Sequence, residues 1–220
     1  MNRTRVKICG ITRSEDALAA VEAGADAIGL VFWSGSKRAV EMTSARKISA
    51  LIPPSVSVVG VFVNASVDEV CQAAEETGIT VAQLCGQLGS GNWAQLPRAP
   101  RILRAVPVSG ERGPDSTMRM NGVGDYLVDN GSAGCHGGTG ETFDWSLADS
   151  VRSWGRIWLA GGLNPQNVRD AIALVRPHAV DVSSGVEAVP GIKSPDLIRA
   201  FIDAVHHADH AIAKADPHAH

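Results

Sequence analysis

Short apolar runs alternate along the chain with segments of helical periodicity. Each run is rich in β-branched residues and ends near a glycine or a polar residue, which is typical of a buried strand. The predicted strands are residues 6–9, 27–32, 57–62, 80–84, 101–106, 126–129, 157–160 and 179–182. Helical spacing of apolar residues predicts helices at 14–23, 44–51, 67–77, 92–96, 145–154, 165–175 and 194–208. Residues 113–122 give the weakest helical pattern, and we expect mostly loop there.

Eight strands with intervening helices predict an α/β fold, a closed single-domain (β/α)8 TIM barrel. A doubly wound open sheet is the alternative, because periodicity does not reveal closure. We expect residues 1–208 to form the barrel and residues 209–220 to form a polar, disordered tail. The segment after His206 could instead extend the last helix until Asp216-Pro217. Its histidines resemble a metal-binding tract, but a solvated terminus is the favoured interpretation.

The C-terminal ends of the barrel strands share one face, where TIM-barrel enzymes carry out their chemistry. A thiol, a carboxylate, a guanidinium and two glycine-containing turns fall on that face of the predicted barrel. The residues are Cys9, Arg38, Asn64, Cys85, Asp129, Gly161-Gly162 and Ser183-Ser184-Gly185. Together they indicate a site for an anionic small molecule.

Asp129 ends an apolar strand, and a loop with glycines at positions 137, 138 and 140 follows it. Parallel α/β enzymes present an acid to a bound ligand in this way. An aspartate at this position can also simply cap a turn, and Cys9 by itself could be a buried strand-end cysteine. The other polar residues on the same face favour a catalytic role for both Asp129 and Cys9.

Two turns late in the chain predict a phosphate site. Gly161-Gly162 follow the seventh predicted strand, with Asn164 as a candidate N-cap and Pro165 as first helical residue. Ser184 and Gly185 follow the eighth. Glycines let backbone N–H groups approach an anion, and TIM barrels often hold phosphate after strands seven and eight.

Composition excludes several other classes of protein. The net charge of −3 and the pI near 6.1, without a basic block, argue against a nucleic-acid partner. No apolar run is long enough to span a membrane, and the N-terminus lacks a signal region, so we expect a cytoplasmic protein. The cysteines are too widely spaced for a zinc site or a disulfide framework, so we expect no metal.

Several short motifs recur in an order and spacing that resemble one known family, phosphoribosylanthranilate isomerase of tryptophan biosynthesis. The resemblance spans residues 6 to about 202. Its motifs are Lys7-Ile8-Cys9-Gly10, Gly29-Leu30-Val31-Phe32 with Ser36-Lys37-Arg38, Val59-Gly60-Val61-Phe62-Val63-Asn64, Gln83-Leu84-Cys85-Gly86, Asp129 with Gly137-Gly138-Thr139-Gly140 and Phe143-Asp144-Trp145, Ala160-Gly161-Gly162-Leu163, Asp181-Val182-Ser183-Ser184-Gly185-Val186-Glu187 and Pro190-Gly191-Ile192-Lys193.

The resemblance implies a cofactor-free Amadori rearrangement of N-(5'-phosphoribosyl)anthranilate, a phosphorylated small molecule. Cys9 matches the family's general base and Asp129 its general acid, while Arg38 matches the residue that pairs the anthranilate carboxylate. Cys85, Gly138 and Asp181 fall at further substrate-binding positions, with Gly138 in a loop that could close as a lid. Gly161, Gly162, Ser184 and Gly185 would bind the phosphate. The family contains monomers and dimers, so either state is expected.

One departure from the family pattern leaves alternatives open. The family usually carries histidine in its Gln-Leu-His-Gly motif, where this chain has Cys85, a smaller side chain and a weaker hydrogen-bond donor. A dual-substrate or histidine-pathway isomerase is one alternative, although those enzymes use aspartate at the position of Cys9. A phosphate-binding barrel without catalysis is the other, and the presence of Cys9 and Asp129 argues against it.

Overall fold

The structure, a computed structural model, describes residues 3–88, 93, 100–108, 114–130 and 144–215. Among these residues, eight parallel strands close into a barrel in sequence order, with β1 paired to both β2 and β8. The strands are β1 (Arg5–Ile8), β2 (Ala27–Val31), β3 (Ser57–Val63), β4 (Val81–Cys85), β5 (Arg101–Val108), β6 (Asp125–Asn130), β7 (Arg156–Leu159) and β8 (Ala179–Val182). The predicted TIM barrel is confirmed, and closure excludes the open sheet.

Helices cover the outside of the barrel. In the described part of the chain they are α1 (Ser14–Ala23), α2 (Met42–Ser49), α3 (Val67–Thr77), α4 (Val168–Val175) and α5 (Pro195–Ala215). Short 3-10 helices lie at Ser116–Met118, Trp145–Val151 and Ser184–Val186, and a hairpin of β9 (Glu187–Val189) and β10 (Ile192–Lys193) follows β8. The predicted bounds of α1 and α3 are confirmed, whereas α2 lies two residues earlier than residues 44–51.

Two predicted helices differ from the structure. Asn164 makes the bonds of an N-cap residue, since its Oδ1 accepts from the backbone N–H groups of Gln166 and Asn167, at 2.9 and 3.1 Å. Residues 165–167 nevertheless form a turn, and α4 begins only at Val168. The predicted helix 145–154 is instead a 3-10 helix that ends at Val151. The predicted helix 92–96 lies outside the described residues except for Trp93.

The last helix is longer than predicted. It continues to Ala215, so residues 209–215, which we assigned to a disordered tail, are helical. Asp209 explains part of this extension, because its carboxylate accepts hydrogen bonds from Thr4 N at 2.8 Å and Thr4 Oγ1 at 2.7 Å. The C-terminal third of α5 is thereby attached to the residue before β1. No helix among the described residues combines the length and apolarity needed to cross a membrane.

Alternation along the strands separates two buried layers. Outward-facing residues such as Val6 and Ile8 pack under the helices in the main core. A smaller cluster fills the interior, and its buried members are Cys9, Val31, Val61, Cys85, Leu103, Ala105, Leu127 and Ala160. Polar side chains also point inward, among them Lys7, Gln83 and Asp181, which are all buried. This polar interior lies directly below the face that was expected to carry the chemistry.

Candidate active site

A cavity of about 1260 Å³ opens at the C-terminal ends of the strands. It brings together most residues that the sequence analysis selected for the site. Those that line it are Cys9, Arg38, Asn64, Cys85, Asp129, Gly161, Gly162, Asp181, Ser183 and Ser184. Gly185 does not line the cavity but supports the turn that does, and Gly138 lies outside the described residues.

Cys9 follows β1 and is buried in the cavity wall. The neighbouring strand makes room for its thiol, since a Cβ on Gly29 would lie only 2.8 Å from Sγ. Burial raises the pKa of Cys9 above its ordinary value, and Lys7 and Lys193 oppose that change with their positive charges. The resting side chain is therefore a neutral thiol with two cations close enough to favour its ionised form.

Asp129 lies near the end of β6 and is partly buried. Burial and the negative charge of Asp181 raise its pKa to about 6. A hydrogen bond from Asn130 N at 2.8 Å and the charge of Lys7 oppose this increase. A carboxyl group with this pKa is protonated in about a tenth of the molecules at pH 7, far more than an ordinary aspartate, which suits a proton donor.

Lys7 is the polar residue that the sequence analysis missed in the barrel interior. Its side chain is fully buried, and Nζ lies 2.9 Å from both Asp181 Oδ1 and Gln83 Oε1. Burial alone would lower the pKa of Lys7, but its interactions with Asp181 and Cys9 raise it, so the side chain stays charged. Its spacing was the available signal, because residue 7 faces the same side of β1 as residue 9.

Arg38 reaches the cavity from the segment after β2, and a carboxylate holds it there. Nε and Nη2 each lie 2.7 Å from one carboxylate oxygen of Glu187, in a bidentate ion pair. Gly10 allows this position, since a Cβ there would lie 2.5 Å from Arg38 Cδ. Glu187 also accepts from buried Lys193 Nζ at 2.9 Å. No local pattern could have indicated this pairing, because Arg38 and Glu187 are 149 residues apart.

The two glycine turns pack against each other at the cavity edge. Gly161 and Gly162 have φ values of 83° and 67°, a left-handed conformation that favours glycine. A Cβ on Gly185 would lie 2.0 Å from Leu163 O, so only glycine fits at this contact. Lys193 Nζ donates to Ser183 O at 3.0 Å, which places a buried cation beneath the turn after β8. The arrangement is suited to an anion.

The family model for N-(5'-phosphoribosyl)anthranilate (PRA) isomerase matches residues 6–204. The chain belongs to the phosphoribosylanthranilate isomerase family. The match covers all eight strands and the cavity, and the function follows from it: the chain is an isomerase of tryptophan biosynthesis that acts on N-(5'-phosphoribosyl)anthranilate.

Individual relatives agree with this family assignment. The N-(5'-phosphoribosyl)anthranilate isomerase of Citrifermentans bemidjiense is 48% identical over 90% of this chain and 95% of its own. The crystal structure of the Thermotoga maritima isomerase superposes with a TM-score of 0.83 at 44% identity, covering 93% of this chain and 99% of that one. A further isomerase structure, at 42% identity, a TM-score of 0.78 and the same coverage, contains reduced 1-(o-carboxyphenylamino)-1-deoxyribulose 5-phosphate.

Cys85, the position at which this chain departs from the family motif, lies in the cavity wall. Its side chain is buried, and Gln83 Nε2 lies 3.7 Å from its sulfur atom. Its backbone oxygen accepts from Asn64 N at 3.1 Å. Gln83 therefore links Cys85 to Lys7, and through Lys7 to Asp181.

Among the described cysteines, Cys9, Cys71 and Cys85, no disulfide bond is present. In the described part of the chain, no group of three or more histidine, cysteine, aspartate or glutamate side chains is arranged to hold a metal ion.

Proposed function

We propose that Asp129 is the general acid and Cys9 the general base of the Amadori rearrangement that this chain catalyses. The observation that carries the proposal is the pairing of two unlike environments in one cavity. The pKa of the Asp129 carboxyl is raised to about 6, whereas the Cys9 thiol lies near two lysine ammonium groups. Two titratable groups whose surroundings differ in this way are suited to distinct acid and base roles.

The acid acts first. Asp129 donates its proton to the furanose ring oxygen of the substrate as the bond between that oxygen and C1 breaks. The lone pair of the anilino nitrogen forms the C1=N bond, and the product is a protonated Schiff base. Burial and the charge of Asp181 favour the protonated acid that this step consumes.

The base acts second. Cys9 first gives its own proton to solvent, and the resulting thiolate removes the proton from C2. The C–H electrons form a C1=C2 bond, and the C=N electrons return to nitrogen. The resulting enolamine then tautomerises to the ketone. A positively charged Schiff base beside the sulfur favours the thiolate, and the Lys7 ammonium contributes in the same direction. The order of the two steps therefore compensates for the raised pKa of the resting thiol.

Substrate anions occupy opposite parts of the cavity in this proposal. Arg38 pairs the anthranilate carboxylate, a role suited to a guanidinium. The backbone N–H groups of Gly161, Gly162 and Ser184, which line the cavity, bind the phosphate, and Gly185 contributes to this site by its close packing against the other turn. Asp181 accepts from a substrate hydroxyl, and Cys85 contacts the substrate from the wall. The role of Gly138 in a lid remains a prediction. The oligomeric state, a monomer or a homodimer, also remains a prediction.

Turnover of freshly generated phosphoribosylanthranilate, followed by loss of its fluorescence, tests the proposal. Cys9→Ser and Asp129→Asn are each expected to reduce kcat by at least about 10²-fold, the typical contribution of a positioned acid or base. Cys71→Ser and Asp170→Asn are matched controls, since neither residue lines the cavity. Normal turnover in Cys9→Ser or Asp129→Asn would remove that residue from the mechanism. Turnover of the histidine-pathway aminoaldose, measured alongside, would indicate a dual-substrate enzyme.

A further inference from the structure

We infer that Lys193, a buried residue that does not line the cavity, sets the affinity for the anthranilate carboxylate by balancing the charge of Glu187. The inference rests on the proposed role of Arg38. It assigns a specificity function to two ion pairs that share Glu187. We call the three side chains, Arg38, Glu187 and Lys193, the carboxylate triad.

The starting point is an apparent contradiction at Arg38. Glu187 binds both Nε and Nη2 at 2.7 Å, and the two side chains are only 12% and 5% exposed. An arginine that is fully paired with one glutamate has no net charge to offer a second carboxylate. Two partially buried carboxylates beside one guanidinium would repel each other, and their mutual desolvation would add to the cost.

Lys193 resolves this contradiction. Its side chain is 0% exposed, and Nζ lies 2.9 Å from Glu187 Oε1, the same oxygen that accepts from Arg38 Nε. Its other acceptors are Ser183 O at 3.0 Å and Ser183 Oγ at 3.4 Å. Three oxygen acceptors match the three donors of an ammonium group. Two cations around one carboxylate leave the triad with one net positive charge.

The geometry directs that charge toward the ligand. Glu187 occupies the Nε–Nη2 edge of the guanidinium, which leaves Nη1 on the other side. Within the described part of the chain, Nη1 has no hydrogen-bond acceptor, and Arg38 lines the cavity. Glu187 thus fixes the orientation of Arg38, and Lys193 restores the positive charge that this fixation would otherwise neutralise.

The experiment compares two ligands that differ only in the aromatic carboxylate. They are reduced 1-(o-carboxyphenylamino)-1-deoxyribulose 5-phosphate and the corresponding anilino compound without the carboxylate. Isothermal titration gives the ratio of their dissociation constants, which we call the carboxylate preference. This ratio cancels any loss of phosphate binding that arises through Ser183, because both ligands carry the phosphate.

Lys193→Met is expected to reduce the carboxylate preference about tenfold, the scale of one charge-assisted hydrogen bond. Glu187→Gln combined with Lys193→Met removes both charges behind Arg38, and we expect it to recover part of the preference. Lys47→Met, which removes one charge from an exposed position on α2, should leave the preference unchanged. Circular dichroism establishes that each variant is folded, and Lys193→Gln, whose amide can still donate to Glu187, replaces Lys193→Met if that variant does not fold.

An unchanged preference in the Lys193 variants would overturn the inference. So would a double variant that behaves like Lys193→Met, because the charge of Glu187 would then have no effect. Arg38→Met separates this failure from failure of the proposed function. If Arg38→Met keeps the full preference, the carboxylate does not bind Arg38 at all; if it loses the preference and Lys193→Met does not, only the inference about Lys193 is wrong.

Discussion

Replacing the proposed acid with asparagine is expected to stabilise the folded protein while it reduces turnover by at least about 10²-fold. The pKa of Asp129 is raised to about 6 in the folded state, whereas an unfolded aspartate has an ordinary value near 3.8. The folded state therefore binds the proton more tightly than the unfolded state. Ionisation of Asp129 therefore lowers the free energy of unfolding as pH rises from about 4 to about 6, and the full destabilisation is present above that range. The amide of the Asp129→Asn variant cannot ionise, so the variant avoids this cost.

The magnitude follows from the two pKa values. At 1.36 kcal/mol for each pH unit, the difference between about 6 and 3.8 corresponds to at most about 3 kcal/mol. Asp129 is only partly buried, and solvent screening reduces the expected gain to about 1–2 kcal/mol at pH 8. At pH values well below 3.8, where the carboxyl is neutral in both the folded and the unfolded protein, the gain should approach zero.

Urea unfolding of both proteins at pH 4, 5, 6, 7 and 8 measures this difference. Asp144→Asn provides a control of opposite sign, because hydrogen bonds from Ser146 lower the pKa of Asp144. The carboxylate of Asp144 contributes stability above its unfolded pKa, so its loss should become more unfavourable as pH rises. A difference between wild type and Asp129→Asn that is the same at all pH values would refute the reasoning. A less stable Asp129→Asn variant at pH 8 would refute it as well.

Two further predictions concern the phosphate turns and the thiol. Gly185→Ala places a methyl group 2.0 Å from Leu163 O, so the turns must separate, and titration of the reduced product analogue should show binding weakened about tenfold. Gly124→Ala, where a Cβ meets nothing within 4 Å, should bind normally. Lys7→Met removes a charge that lowers the pKa of Cys9, so the pH midpoint of Cys9 alkylation by iodoacetamide should move upward. An unchanged midpoint, measured by peptide mass spectrometry, would contradict the role of Lys7.

The sequence predicted the barrel well because strand identity depends on local patterns. Each observed strand lies within two residues of its predicted bounds, since short apolar runs and β-branched composition are local properties. Helix starts were less predictable. Asn164 and Pro165 form a typical helix beginning, and Asn167 Oδ1 accepts from Asn164 N at 2.8 Å as in a capping box, yet residues 165–167 form a turn before α4. Where a first turn becomes regular helix depends on backbone geometry that residue type does not specify.

The site was predictable in position but not in its electrostatics. Strand-end geometry placed Cys9 and Asp129 on one face, and the cavity includes both. The partners that tune them come from distant parts of the chain: Asp181 is 174 residues from Lys7. Buried charges such as Lys7 and Lys193 resemble surface lysines in a sequence, because only the folded structure shows their acceptors. Pairing across the barrel is therefore the information that a linear pattern lacks.

The ion pair between Lys7 and Asp181 also has a consequence for how the protein is made. Lys7 is on the first strand and Asp181 on the last, and these strands are joined only when the barrel closes. During translation, a nascent chain has a lysine destined for the interior but no counterion until residue 181 leaves the ribosome. Burial of that lysine without its partner is costly, which disfavours premature closure around an incomplete set of strands. The Lys7–Asp181 ion pair, whose members affect the pKa of the Cys9 thiol, thus favours closure of the barrel only after its last strand has been synthesised.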